Sequence, residues 1–125
     1  MNISQLSRRA VIATAVTITM PLAMAQTPQK LKVGLMLPAT GTFAALGTAI
    51  ENGFRLHLAE QGGKLGGREV EFFKVDDESD PSKAIDNVNK LIKRDNVDVL
   101  IGSVHSGVAM AMARVAKGTG TLMIN

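Results

Sequence analysis

The spacing of apolar residues changes several times along the chain, and the changes follow a strand-helix order. Short continuous or alternating apolar runs are typical of strands, whereas apolar residues three or four positions apart are typical of a helix with one buried face. The runs predict strands at residues 31–37, 69–75, 97–101 and 121–124. The helical spacing predicts helices at residues 45–61, 80–92 and 107–117.

Turn and cap residues mark the ends of these segments. Pro38 closes the first strand, and Gly62-Gly63 stops the first helix. Asp80-Pro81 starts the second helix, because Asp caps free N–H groups and Pro fits the first helical position. The first helix is predicted to bury an apolar stripe made of Leu46, Ala49, Ile50, Phe54 and Leu58. The stripe of the second helix consists of Ala84, Ile85, Val88, Leu91 and Ile92.

Strands that alternate with helices predict an α/β fold: a Rossmann-like, mostly parallel sheet with helices on both faces. A turn is predicted at residues 64–67. The last predicted strand has no helix after it to cover the sheet, so we expect the chain to be part of a larger lobe with an exposed edge at residues 121–124.

Residues 1–25 have the three parts of a secretory signal peptide. Arg8 and Arg9 precede an apolar stretch at residues 10–20, and Ala23-Met24-Ala25 is a small-residue site with expected cleavage after Ala25. The apolar stretch is shorter than the roughly 20 residues of a membrane-spanning helix. The paired arginines resemble the twin-arginine export motif, and they fit an ordinary general-secretion leader equally well. On either route the mature chain, residues 26–125, is exported and has no membrane span.

Composition excludes several classes of function. The chain has no cysteine, so it has no disulfide, Cys-based metal site or thiol nucleophile. Arg8 and Arg9 lie in the leader while all 11 acidic residues follow it, which leaves the mature part close to neutral. Four Phe are its only aromatic residues of the Phe, Tyr and Trp types. No nucleic acid partner is expected without a basic patch or stacking aromatics.

The loops that follow the strands carry the chemistry, because ligands of open α/β sheets bind at the carboxyl ends of the strands. In the loop after the first strand, Gly41 and Gly47 do not have the spacing of the dinucleotide fingerprint, and no Gly-Lys-Ser/Thr follows. Asp76 and Asp77 are placed like a ribose-binding acid, but the glycines that should accompany one are missing. We therefore expect no cofactor and no metal.

The loop at residues 102–107 favours binding over catalysis. Ser103 or Ser106 with His105 resembles two thirds of a catalytic triad, but the G-x-S-x-G elbow and the third member are missing, so no enzyme is expected. A helix that begins near Ser106 presents free backbone N–H groups and a serine hydroxyl, which suit a carboxylate. The alternative is that Ser106 only caps its helix.

Four segments resemble, in order and spacing, the leucine/isoleucine/valine-binding type of periplasmic receptor, also called type I periplasmic-binding-protein-like. They are LKVGLMLPATGTFAALG, GGKLGGREVEFFKVDDESDPSKAIDNVNKLI, VDVLIGSVHSG and TLMIN. The most specific elements are the glycine turn and strand that lead to Asp76-Asp77, the D-P-x-x-A helix start at Asp80, and the Ile101-Gly102-Ser103 turn. The resemblance covers residues 30–125, as a partial N-terminal lobe.

The resemblance implies a ligand held between two lobes, with its carboxylate at the helix start after the third predicted strand. Val104, His105 and Ser106 fall on those ligand contacts, and Leu46 falls where relatives often have an aromatic residue. Ligands of such receptors include branched-chain amino acids, aromatic acids, amides and urea.

The implied role is the substrate-binding component of an ABC importer, with a small-molecule ligand and an inner-membrane permease as partners, located in the periplasm. A sensor domain of the same fold is the first alternative. A secreted Rossmann-like enzyme is the second, and a truncated product that does not bind ligand alone is the third.

Overall fold

The computed structural model describes residues 28–125, so the expected signal peptide and its cleavage after Ala25 lie outside the described residues. The strands are β1 Leu31–Leu37, β2 Lys64–Leu65, β3 Arg68–Asp76, β4 Val99–Ile101 and β5 Leu122–Ile124. The helices are α1 Ala44–Glu60, α2 Pro81–Asn89 and α3 Ser106–Thr119. A π-helical turn, Lys90–Arg94, continues α2.

The strands form one sheet in the order β2-β3-β1-β4-β5. β1 lies in the centre and pairs in parallel with β3 and β4, and β4 pairs in parallel with β5. This confirms the predicted α/β, Rossmann-like parallel sheet. The short β2 pairs antiparallel with β3 where the sequence predicted only a turn, because Gly66 and Gly67 adopt the positive φ angles of 56° and 77° that close a tight hairpin.

Both faces of the central strand are buried, which places helices on both sides of the sheet. Val33, Leu35 and Leu37 of β1 belong to one apolar cluster, against which Phe54 of α1 packs. Met36 of β1 points to the opposite face and belongs to a second cluster. α2 and α3 supply that cluster with Ala84, Val88, Val108, Met112 and Ala116.

The buried face of α1 differs from the predicted stripe. Leu46 and Ile50 are 53% and 44% exposed, and Ala49 is exposed too. The buried residues of the helix are Gly47 and Glu51 instead. Gly47 lets α1 approach the end of β1 closely, since a Cβ atom there would overlap the Pro38 carbonyl oxygen. The rotation of the helix is therefore set by a glycine contact and a buried carboxylate, which apolar spacing does not reveal.

Two basic residues stabilise the buried carboxylate of Glu51. Arg55 donates to Glu51 Oε1 from Nε at 2.9 Å and from Nη2 at 2.7 Å, and Lys74 of β3 forms an ion pair with Oε2. The hydrogen bond from Lys74, then that from Arg55, lowers the pKa of Glu51 despite opposing desolvation. The Arg55 guanidinium also lies 4.5 Å from the centre of the Phe72 ring. This ion cluster attaches α1 to β3.

The start of α2 is as predicted. Asp80 caps the helix by accepting a hydrogen bond from the Ser82 N–H at 2.8 Å, and Pro81 occupies the first turn. Ala84, Val88 and Leu91 are fully buried. Ile85, which the predicted stripe included, is 50% exposed because it lies to one side of that buried row.

α3 and β5 form the far edge of the described sheet. Leu122 and Ile124 of β5 are 64% and 54% exposed, so this edge strand presents apolar side chains to solvent, as predicted. A groove of about 470 Å³ runs beside the strand, lined by Ala109, Met110, Ala113, Ala116, Lys117, Thr121, Met123 and Asn125. Within residues 28–125, no helix combines the length and the apolar character needed to cross a membrane.

Candidate functional site

Three loops meet at the carboxyl edge of the sheet. They follow β3, β1 and β4, which are neighbouring strands, and they comprise residues 77–80, 38–43 and 102–105. Hydrogen bonds connect the loop after β3 to both of the others. The sequence predicted ligand contacts at this edge, and the structure brings the loops together there.

Asp76 holds the loop after β1. Its Oδ1 accepts hydrogen bonds from the N–H groups of Ala39, Thr40 and Glu78 at 2.8, 3.3 and 2.9 Å. Its Oδ2 accepts one from the Thr40 hydroxyl at 2.8 Å. Burial favours a raised pKa for Asp76, but the donors from Ala39, Glu78 and Thr40 outweigh it, and the pKa is lowered. The carboxylate is thus fully occupied in fixing this loop.

Asp77, the next residue, holds the loop after β4. It is fully buried; its Oδ1 accepts from the Ser79 N–H at 2.8 Å and its Oδ2 from the Ser103 hydroxyl at 2.6 Å. The Ser103 hydroxyl oxygen accepts in turn from the His105 N–H at 3.3 Å. The two consecutive carboxylates therefore serve different loops.

Gly102 lets the loop after β4 pass close to the central strand. Its φ of 115° is in the region that favours glycine, and a Cβ atom would overlap the carbonyl oxygen of Met36 in β1. Its N–H donates to the Ile124 carbonyl of β5 at 3.2 Å. The turn is thereby fixed against two strands of the sheet.

His105, not Ser106, caps α3. The His105 Nδ1 atom accepts a hydrogen bond from the Gly107 N–H at 3.0 Å, and its carbonyl accepts from the Ala109 N–H at 2.9 Å. In a neutral ring this places the proton on Nε2. Ser106 is the exposed first residue of the helix, so the hypothesis that it serves only as the cap is wrong.

The start of α3 retains unused donors. Within residues 28–125, the N–H and the hydroxyl of the exposed Ser106 donate to no other group; the Val108 N–H has no acceptor either, but Val108 is fully buried. The N-terminus of a helix also has a partial positive charge. The site can therefore accept an anionic group, with the Ser106 hydroxyl as an additional neutral donor.

Phe43 is a site residue that the sequence did not identify. Its ring meets the His105 ring edge-on, with 5.9 Å between centroids and 65° between planes, and its N–H donates to the Ser79 hydroxyl oxygen at 3.2 Å. The only sequence signal was its place in the loop after the first strand. An aromatic side chain thus lies beside the start of α3.

The predicted site residues lie on two elements. Val104 and His105 are half-buried in the loop after β4, and Ser106 follows them, so the structure brings these three together. Leu46 lies in the first turn of α1, three residues past Phe43, and is half exposed. The ring that lies beside His105 belongs to Phe43.

Ser103 and His105 are not arranged like the serine–histidine pair of a catalytic triad. The Ser103 hydroxyl donates to Asp77, and the Nδ1 atom of His105 accepts from Gly107, so hydroxyl and ring are not paired with each other. Among the described residues, no three His, Asp or Glu side chains are grouped so that they could hold a metal ion.

Fold and site together define a lobe built on a parallel sheet, with a candidate ligand site at the carboxyl ends of its strands. The sequence profile of the periplasmic binding protein family matches residues 30–125. The chain belongs to this family, as the resemblance predicted.

The similar sequences are binding proteins that differ in their named ligands or roles. The Leu/Ile/Val-binding protein BraC3 of Rhizobium johnstonii is 34% identical over 107 residues, which cover 83% of this chain and 28% of that protein. A chemotactic signal transduction system substrate-binding protein, BasB of Halobacterium salinarum, is 30% identical over 78% of this chain and 24% of its own length. The chain spans about a quarter of the length of these relatives.

Two solved structures support the same fold. The solute-binding protein of an ABC transporter from R. palustris, in complex with benzoate, is 56% identical with a TM-score of 0.74, over 76% of this chain and 26% of that one. LivJ of Streptococcus pneumoniae, in complex with isoleucine, is 26% identical with a TM-score of 0.70, over 76% of this chain and 28% of that one. Both confirm the expected type I architecture.

Proposed function

We propose that the chain is the first-lobe part of a solute-binding component of an ABC importer, and that the start of α3 binds the carboxylate of a small ligand. The observation that carries the proposal is that the N–H and the hydroxyl of the exposed Ser106 are unused and lie where three loops meet. Membership in the periplasmic binding protein family supports it. The Nδ1 atom of His105 is occupied and Ser103 is bound to Asp77, which supports a binding role without a catalytic step.

An aromatic carboxylate fits the site better than a branched-chain amino acid. The benzoate-bound relative is 56% identical, whereas the isoleucine-bound one is 26% identical. Phe43 supplies an aromatic side chain near the helix start. At this edge of the sheet, within residues 28–125, neither Asp77, which is buried, nor Asp76, which already accepts four hydrogen bonds, offers an acceptor for an ammonium group. Benzoate is therefore the first probe and isoleucine the second.

The import role implies export, a second lobe and a permease. In this proposal residues 1–25 are a cleaved signal peptide, and residues 26–125 are part of a periplasmic receptor that meets the permease in its closed two-lobe form. Mass spectrometry of a periplasmic extract should find an N-terminus at Gln26. A chain that keeps Arg8 and Arg9, or one found only in the cytoplasm, would contradict export.

Ligand sensing is the second candidate function, because the relative BasB is named for chemotactic signal transduction. The two roles predict different losses after deletion of the gene. Loss of import should abolish uptake of labelled benzoate, whereas loss of sensing should abolish movement toward it and leave uptake intact.

The Ser106→Ala variant tests the site directly. It removes one charge-assisted hydrogen bond, for which a loss of about 1.5–3 kcal/mol, or roughly a tenfold to hundredfold weaker affinity, is expected. Calorimetric titration of the chain with benzoate, isoleucine and neutral benzamide measures this loss. We expect benzoate to bind more tightly than benzamide.

Ser82→Ala is the matched control, since Ser82 is an exposed serine in the first turn of α2. It should leave the benzoate affinity unchanged. Equal affinities of wild type and Ser106→Ala would remove the Ser106 hydroxyl from the site. Equal binding of benzoate and benzamide would contradict recognition of a carboxylate.

A further inference from the structure

We infer that Asp77 is a positioning residue for ligand binding, which acts on the ligand donors of α3 through Ser103 and His105. The inference rests on the proposed function, because it concerns the same carboxylate site. Asp77 itself is fully buried and is not offered as a ligand contact.

The first step is the direction of the hydrogen bond between Asp77 and Ser103. A carboxylate only accepts, so the Ser103 hydroxyl donates its proton to Asp77 Oδ2 at 2.6 Å. The lone pairs of the hydroxyl oxygen are then free to accept, and one accepts the His105 N–H at 3.3 Å. The buried carboxylate thus determines which way the serine points, and the serine holds the backbone of the loop.

The second step is the cap of α3. With its backbone held, His105 directs Nδ1 at the Gly107 N–H at 3.0 Å. This contact uses the donor of Gly107 and leaves the N–H and the hydroxyl of the exposed Ser106 free for a ligand. Donors that are already oriented before binding cost little reorganisation, which strengthens the affinity.

The third step is that this chain of contacts is separate from the one made by Asp76. Asp76 accepts from Ala39, Thr40 and Glu78, in the loops after β1 and β3. The hydrogen bond between Asp77 and Ser103 joins residues 26 positions apart and connects the loop after β3 to the loop after β4. Asp77 Oδ1 also accepts from the Ser79 N–H, and the Ser79 hydroxyl accepts from Phe43 in the loop after β1, so it is the Oδ2 contact that acts on α3.

The Asp77→Asn variant reverses the hydrogen bond with little change in shape. Ser79 and Ser103 donate to different oxygens of the Asp77 carboxylate. The amide replaces one of these oxygens with a donor nitrogen, so it cannot accept from both residues in these positions. If the amide nitrogen donates to Ser103, the serine proton turns away, and the serine oxygen then accepts from both the amide and the His105 N–H. We expect the His105 ring and the Gly107 N–H to lose their fixed contact.

The experiment is NMR of the chain with ¹⁵N-labelled histidine and backbone, before and during titration with benzoate. In the ligand-free wild type the His105 ring should show an unprotonated, hydrogen-bonded Nδ1. Asp77→Asn and Ser103→Ala should each shift that ring signal, speed exchange of the Gly107 amide proton, and weaken benzoate binding by about tenfold, equivalent to about 1.4 kcal/mol. The double variant should bind no more weakly than either single variant, because both break the same connection.

Two further variants separate positioning from folding. Ser103→Thr restores the hydroxyl and should recover the ring signal and most of the affinity. Asp86→Asn makes the same chemical change at an exposed aspartate of α2, which makes no side-chain hydrogen bond within residues 28–125, and should change neither.

Several results would overturn the inference. They are an unchanged His105 ring signal in Asp77→Asn, additive losses in the double variant, and failure of Ser103→Thr to recover affinity lost in Ser103→Ala. If Asp77→Asn does not fold, the comparison of Ser103→Ala with Ser103→Thr tests the inference instead. Failure of the wild type to bind benzoate would contradict the proposed function instead, and the ligand-free ring signal would still support or overturn the connection from Asp77 to His105.

Discussion

The Glu51→Gln variant tests the buried ion cluster that attaches α1 to β3. Glu51 is 8% exposed and accepts hydrogen bonds from Arg55, with an additional ion pair to Lys74. The variant keeps the shape of the side chain and removes the charge. Glutamine retains one acceptor oxygen, so the charge-assisted contacts become weaker or are lost.

The size of the effect follows from opposing contributions. Hydrogen bonds to a charged group contribute about 1.5–3 kcal/mol each. The side chains of Arg55 and Lys74 are 49% and 37% exposed, so water screens the ion pairs and can solvate both residues after the substitution. Removing the buried charge also removes its desolvation cost. We expect a net loss of about 1–2 kcal/mol, or a melting temperature lower by about 5–15 °C.

The loss should depend on pH. The folded-state pKa of Glu51 lies below its ordinary value of 4.5, because of hydrogen bonds from Lys74 and Arg55. A carboxylate with a lowered pKa stabilises the fold above its unfolded pKa, and this stabilisation is lost as the pH falls through the folded pKa. The difference between wild type and variant should therefore be complete at pH 7 and shrink below about pH 4.5.

Thermal melting followed by circular dichroism at pH 7 and at pH 3 measures both quantities. Glu60→Gln is the control, because Glu60 is exposed at the end of the same helix and has no ion pair within residues 28–125. It should melt like the wild type. A Glu51→Gln variant as stable as the wild type at pH 7, or a difference that persists undiminished at pH 3, would refute the reasoning.

Three other substitutions, two of them with a comparison variant, test two packing contacts and one helix cap by urea unfolding. Gly102→Ala should destabilise the fold by about 1–3 kcal/mol because of its positive φ and the overlap with the strand, whereas Gly118→Ala, a helical glycine with open space around it, should stabilise it by about 0.5–1 kcal/mol. Asp80→Ala should cost about 1 kcal/mol through loss of the α2 cap, and an unchanged midpoint would contradict that role. Met112→Ala should cost about 2–5 kcal/mol in the core, while the same change at Met110, which is 60% exposed, should cost little.

The four parallel strands, β1, β3, β4 and β5, and the start of α2 were predictable from local sequence. β1 is a continuous apolar run that is buried on both faces, and its bounds match the predicted ones. Asp80-Pro81 has the cap geometry that these two residues favour. Each signal depends on residues close together in the chain, which is why the sequence alone was sufficient.

The orientation of α1 was not predictable from apolar spacing. The residues that decide it are Gly47, through its approach to Pro38, and Glu51, through Lys74 on a distant strand. Both are tertiary contacts, and neither residue type is apolar and large. Leu46 and Ile50 consequently appeared to be core residues although they are exposed.

The site was predicted in part. Val104, His105 and Ser106 are adjacent in sequence, so their grouping followed from the loop alone. The sequence left Ser106 two roles, ligand donor or helix cap, and the cap of α3 is made instead by the ring of His105, which accepts from the Gly107 N–H. The connection from Asp77 to Ser103 spans 26 positions, and only the fold brings these residues together.

The most direct test of the account is a two-dimensional ¹H–¹⁵N NMR titration of the chain with benzoate, which maps where the carboxylate binds. The start of α3 and the groove beside β5 are the two surfaces to compare. The account predicts that the largest shift occurs at the amide of Ser106, with a smaller response to benzamide. Shifts confined to the groove, at Ala113, Lys117 and Met123, or no shift at Ser106 at saturating benzoate, would contradict the central claim.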